Sequence, residues 1–429
     1  MNPLGLVAAA ATLLALVSSA WLVLPAARRT RLGLVHPAVA WLALHAVFFG
    51  LGGAVLAATG TIDPEPAWFI AGAALATGLG VRVGDAIARR RGAEHAGATA
   101  PIGAGTPDPA PVRTAAVVAL VGLALAAVTP GLLATGLPLL ADDPTGARTE
   151  LAGLVVQPMR IALPAAVVVA LVAALRRPTR ARRLAAVAGI GVAIGFTLLL
   201  ASRYLAAELA AALVVGWLLA GRRIDVRAVA GLGLAGALVF GAVQVARAPD
   251  RSSGRELAFA FERTVSRVVL VQPRTLDALM DAIPDETPFF GGLTWARRVA
   301  PLAGRDDVPN LGYWIYPRIF PDQDPGVRGY AAPGLIGEAW ANLGIAGLGL
   351  FVALGVVLER LGAVLAGRRL GTADLAVGAV LVVVLARTHA LGLNGAAVLI
   401  ALAIAWRIIA GGGLRSLGRD VGVTLRFRA

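Results

Sequence analysis

Apolar runs of about twenty residues recur along this 429-residue chain, and that feature limits its fold more than any other. A helix rises about 1.5 Å per residue, so roughly 20 apolar residues cross the ~30 Å of hydrocarbon in a bilayer. Charged residues make up only 15% of the chain, where about 25% is typical of soluble domains. A soluble fold is therefore excluded, and the expectation is an all-α polytopic membrane protein forming a single transmembrane domain over residues 1–429. Eleven spans are expected, at roughly 4–25, 37–59, 67–88, 114–140, 150–175, 183–201, 204–220, 226–246, 332–358, 372–388 and 392–411.

The formal charge of +14 does not point to nucleic acid. All 39 basic residues are Arg, and most lie in short clusters between apolar runs, which is how topology is encoded. Placing Arg28, Arg29 and Arg31 in the cytoplasm puts the clusters at 89–91, 176–183, 222–227, 360–369 and 407–428 on that same side. The first run then reads as a retained anchor, with the N-terminus outside and the C-terminus in the cytoplasm. There is no Cys, which removes disulfide and thiolate chemistry. Residues 91–112, rich in Gly, Ala and Pro, read as a disordered cytoplasmic linker.

The outward stretch 247–331 is far longer than an ordinary connection, so it is either functional or a small domain. Its Arg nearly balance its Asp and Glu. The part from Arg255 to Ile283 has apolar residues at helical spacing, which predicts an amphipathic surface helix broken at Pro273. The part beyond it gathers three of the four Tyr, namely Tyr313, Tyr316 and Tyr330, with Trp295, Trp314 and Arg318. Such rings serve either as a headgroup-level belt or as platforms that stack on sugars.

Arg at outer span ends departs from the positive-inside pattern; Arg148, Arg160, Arg203, Arg247 and Arg387 do so. Arg203 occupies a tight turn five residues before Glu208. It either forms an internal ion pair with Glu208 or, with Arg387, clamps a phosphate or diphosphate. Glu338, five residues past Pro333, and His389, beside Arg387, are candidate proton acceptors facing an outer cavity, and Asn342 lies one turn from Glu338 on the same face. His36, His45 and His95 read as structural, without partners. No acidic pair has metal-ligand spacing in the outer stretch, since Asp306-Asp307 and Asp322-Asp324 look turn-like.

The succession FFGGLTWARRVAPL, WIYPRIFP and AAPGLIGEAWANLGIAGLGLF resembles the O-antigen polymerase (Wzy-type) family of oligosaccharide repeat unit polymerases. The last segment fits a P-x-L-I-G-E-x-x-x-N-x-G-x-x-G pattern at Pro333, Leu335, Ile336, Gly337, Glu338, Asn342, Gly344 and Gly347, and LLLASRYLAAELAAALV looks like that family's S-R turn. The likeness covers roughly residues 195 to 400, though Tyr204 stands where a small residue is expected. It implies a GT-C-like, metal-independent inverting glycosyltransferase with no cofactor. Its donor and acceptor would be undecaprenyl-diphosphate-linked glycans at the outer face of a bacterial plasma membrane, with flippase or chain-length regulator proteins as partners. Arg203 and Arg387 would then hold the donor diphosphate, Glu338 or His389 would receive the acceptor proton, and Arg148, Arg160, Arg318, Asn342 and the aromatic residues would bind substrate. A ligase acting on another acceptor, or a lipid-linked oligosaccharide flippase, is the alternative.

Overall fold

The computed structural model describes residues 2–30, 36–91, 156–176, 178–199, 203–220, 266–297, 304, 307–322 and 329–366, with positions 384, 385, 388, 389 and 392. Among the described residues every regular element is helical. Helix α1 (Pro3–Arg29) starts where the Asn2 side chain accepts the Leu4 amide at 3.1 Å, and it ends on Arg28 and Arg29. A continuous span from Pro37 to Thr59 follows, made of α2 (Pro37–His45), a π-turn (Ala46–Gly50) and α3 (Leu51–Thr59). Gly60, at φ +71°, ends it in the left-handed conformation that favours glycine. Next comes α4 (Pro64–Arg91).

Helices α1, α4 and the later α12 (Leu348–Ala366) form a tightly packed group. Apolar driving force between helices is weak in lipid, so close packing depends on small residues. On α4 and α12 they stand face to face: a side chain on Gly80 would collide with the Val352 carbonyl, and one on Gly355 with the Thr77 carbonyl. Large apolar side chains point the other way, Trp21 on α1 being 71% exposed. Among the described residues, four helices or helix runs have the length and composition to cross a membrane: Pro3–Arg29, Pro37–Thr59, Pro64–Arg89 and Gly334–Ala363.

Helices α5 (Val156–Arg176), α6 (Arg180–Leu199) and α7 (Arg203–Leu219) fall on three more of the expected spans. They pack together, with Ala166, Val169, Ala170, Ala174 and Ala186 between α5 and α6. The expected spans at 114–140, 226–246 and 392–411, nearly all of 372–388, and the linker beyond residue 91 lie outside the described residues.

Two expectations need correction. The break expected at Pro273 falls just before it, between Leu270 and Val271, and residues 255–265 lie outside the described residues. After a π-turn (Ser266–Leu270), α8 (Val271–Ala282) carries Pro273 in its first turn, where no intrahelical amide partner is needed. The span predicted at 332–358 is also not one helix. It is α11 (Gly334–Leu343), a 3₁₀ turn (Gly344–Gly347) and α12, broken where Gly344 takes φ +56° and ψ −138°. A side chain on Gly344 would press on the Phe289 ring.

Buried charges gather at the bundle end that carries the Arg clusters. Asp85 pairs with Arg29 and, at 2.7 Å, with Arg89, while Glu359 lies 3.2 Å from His36 Nε2. His36 is therefore not without a partner: its Nδ1 accepts the Ala38 amide as the cap of α2, and its Nε2 faces Glu359. Pairing of this kind offsets much of the cost of taking a carboxylate out of water. At the other end, the Asp63 amide donates to Asp277 Oδ1 at 3.1 Å and ties α8 to the turn before α4.

Gly355→Leu should destabilise the fold by about 1–3 kcal/mol or more through overpacking, lowering the unfolding midpoint in detergent. Gly349→Leu on the same helix, where a side chain meets open space, should leave the midpoint nearly unchanged.

Candidate functional site

The segments singled out in the sequence fold around the first turns of α11. The chain reaches it through Pro333, and Gly334 follows at φ +62°, so close to the Phe49 ring and the His389 carbonyl that a side chain would overlap both. One turn on, Glu338 is 3% exposed. Its carboxyl rests against Gly392, where any side chain would collide with it, and Gly392 is held by its amide donating to the Thr388 carbonyl at 2.9 Å.

Beside Glu338 lies a narrow, shallow crevice lined by Thr294, Arg297, Pro309, Asn310, Leu311, Gly312, Pro333 and Glu338. Its walls are the one-turn helix α9 (Leu293–Ala296) and α10 (Leu311–Ile319), which starts where the Asn310 side chain accepts the Gly312 amide at 3.2 Å. Arg297 stands exposed at the rim, so a fixed positive charge and a buried carboxylate border the same space.

Asn342 builds this wall. Its Oδ1 accepts the amides of Gly292 (3.0 Å) and Thr294 (3.3 Å), and its Nδ2 donates to Thr294 Oγ1 (2.6 Å) and to the Glu338 carbonyl (2.7 Å). The carbonyls of Ala341 and Asn342, left open at the end of α11, accept the amides of Phe290 and Gly291. A residue expected to touch substrate is thus buried and bonded to its own chain, fastening the 290–294 turn to the helix that carries Glu338.

The aromatic residues divide. Tyr316 is buried against Phe320, at 4.9 Å between centroids, and against Gly329; it belongs to a core with Leu279, Ile283, Ile315 and Ala331. Tyr313 is exposed, with Tyr330 edge-on to it at 5.2 Å. Arg318 is held by Glu286 through two hydrogen bonds of 2.9 and 2.5 Å and lies over the Trp314 ring at 5.2 Å. That bond holds the Glu286 carboxyl below its ordinary range and raises the guanidinium.

His389 does not face the crevice. Its ring is fully buried among Trp41, His45, Phe48 and Phe49, at 5.1 to 6.2 Å between centroids, because the turn that seats Glu338 sends this side chain into the π-turn region of the second span. His45, read as partnerless, donates from Nε2 to the Ile70 carbonyl at 3.1 Å and has His389 as a neighbour. Arg148 and Arg387 lie outside the described residues; Arg160 and Arg203 sit in α5 and at the start of α7, and their side chains are not described. Glu208 is buried. Arg297 escaped the sequence reading because it sits in a segment that drew attention for its rings; the adjacent pair Arg297-Arg298, directly after TWA, was the available signal.

Compared with protein-family models, curated proteins and solved structures, the chain matches none.

At the turn before α4, α8 brings Asp277 and Asp281 towards Asp63 and Glu65. Burial pushes the Asp277 carboxyl up to about 6; Asp281, Asp63 and Glu65 add to this, and the hydrogen bond from Asp63 opposes it. The folded protein therefore keeps a proton that the unfolded chain releases near 3.8. That contribution to stability is whole below about pH 4 and is lost as pH rises through about 6. Asp277→Asn, which keeps the acceptor for the Asp63 amide, should match the wild-type unfolding temperature at pH 4 and exceed it at pH 7.

Proposed function

We propose that the protein is a polytopic, eleven-span, GT-C-like glycosyltransferase of the bacterial plasma membrane. In this reading it polymerises undecaprenyl-diphosphate-linked oligosaccharide repeat units, with its crevice on the outer face. One observation carries the reading: two of the three segments that resemble the repeat unit polymerases, FFGGLTWARRVAPL and AAPGLIGEAWANLGIAGLGLF, line one crevice through Arg297 and Glu338, and the third, WIYPRIFP, begins two residues after the lining residue Gly312.

The chemistry suits those two groups. An acceptor hydroxyl oxygen attacks the anomeric carbon of the donor, and the bond from that carbon to the diphosphate oxygen breaks. Glu338 receives the hydroxyl proton, the role of a general base within hydrogen-bond reach of the acceptor. The departing diphosphate gathers negative charge, which a fixed guanidinium stabilises. Arg297, which lines the crevice, is our candidate for that task, with Arg203 and Arg387 as the companions expected from the sequence. The exposed Tyr313 and its neighbour Tyr330 offer apolar faces and hydroxyl tips to a sugar.

Glu338→Gln keeps the shape of the site and removes the base. In cells, or in liposomes supplied with lipid-linked repeats, it should lower chain extension by about 10²–10⁴-fold, leaving single repeats on their carrier. Gel profiles with wild-type chain length in that variant would rule the reading out.

A further inference from the structure

The crevice leaves one buried feature unexplained. His45 and His389 are completely buried and 5.3 Å apart between ring centroids, inclined at 37°. Among the described residues, His45 Nδ1 and both nitrogens of His389 have no hydrogen-bond partner. Buried polar atoms are nearly always bonded, and orphaned nitrogens on two adjacent rings can satisfy one another, one from each ring. The surroundings are apolar: Trp41, Phe48 and Phe49 line the rings. His45 is also the last residue before the π-turn Ala46–Gly50, an irregularity that recurs at working sites.

The tautomer of one ring follows from its contact. His45 Nε2 meets a carbonyl oxygen, so it carries the proton, and Nδ1 is a bare acceptor. Ring nitrogens lie roughly 1.1 Å from a centroid, so at this separation two nitrogens facing each other would be about 3.1 Å apart, a hydrogen-bond length. The Ile70 carbonyl anchors the His45 ring. The His389 ring has no such anchor, and a half-turn about its χ2 exchanges a carbon for a nitrogen on the facing edge.

We infer that His389 donates an N–H to His45 Nδ1, and that this imidazole pair pins the 388–392 turn to the second span and so fixes the surface on which the Glu338 carboxylate rests. The same turn touches all the parts concerned. The His389 ring enters the cage on α2 and the π-turn, its carbonyl abuts Gly334, and Gly392 abuts the Glu338 carboxyl. His45 and His389 are positioning residues here, and neither reaches the crevice. The pairing stands without the proposed function; only its consequence for catalysis rests on reading Glu338 as the base.

The test uses the full chain in nanodiscs, labelled with [¹⁵N]histidine, where the four His give a spectrum that single variants assign. The wild-type protein should show an N–N coupling between His45 Nδ1 and His389 across the hydrogen bond; its absence overturns the proposal whatever the variants do. His45→Leu and His389→Leu should each lower the unfolding midpoint by roughly 3–6 °C, and the double variant should recover at least half of the summed loss, because it leaves neither ring orphaned. Additive losses count against pairing. The link to Glu338 is read without an enzyme assay, by mapping where a hydrophobic carbodiimide reacts. Glu338 should be modified at least threefold faster in His389→Leu than in the wild type, and an equal rate overturns the positioning role. Loss of glycan transfer in Glu338→Gln is scored separately, so failure of the function and failure of the pairing remain distinct.

Discussion

A carboxylate inside an apolar bundle has to be held from every side, and the fold around Glu338 reads as the answer to that demand. Its helix can begin where it does only because Gly334 adopts a left-handed conformation against Phe49 and the His389 carbonyl. The turn facing its carboxyl has to be glycine at 392. Its own carbonyl accepts from Asn342, whose remaining groups fasten the crevice wall. Displacing one of these parts moves the others, which ties the 290–294 turn and the 388–392 region to the helix that carries Glu338.

Charges at the opposite end are handled differently. Asp85 lies between Arg29 and Arg89, and Glu359 faces His36, so each buried acid there has a basic partner. Those pairs join α1, α2, α4 and α12, the helices whose close crossing also depends on Gly80 and Gly355. One end of the bundle is thus closed by neutralised pairs. The other presents an acidic group around Asp277 and a crevice with a guanidinium at its rim.

Much of this was legible in the sequence, for physical reasons that also explain what was missed. Helices such as Pro3–Arg29 and Pro37–Thr59 announce themselves because length and hydropathy are what a bilayer selects. The break at Gly344 does not, since its neighbours are as apolar as any span and hydropathy carries no information about φ. Glu338 was visible as a charge in an apolar run, and the structure buries it on the lining of the crevice. His389 was read outward from its charged neighbour, but a side chain's direction at a turn is set by the packing opposite, here Trp41, His45, Phe48 and Phe49. Asn342 shared a face with Glu338 as its spacing implied, yet spacing does not tell whether an amide bonds to a ligand or to its own chain.

The central claim is that the crevice beside Glu338 opens on the outer face and receives a lipid-linked glycan. The chain has no cysteine, so Arg297→Cys supplies a single thiol at the rim. A membrane-impermeant maleimide should label it in intact cells, and added lipid-linked donor should slow the labelling in purified protein. Labelling only after the membrane is permeabilised, or at a rate indifferent to donor, would contradict the account.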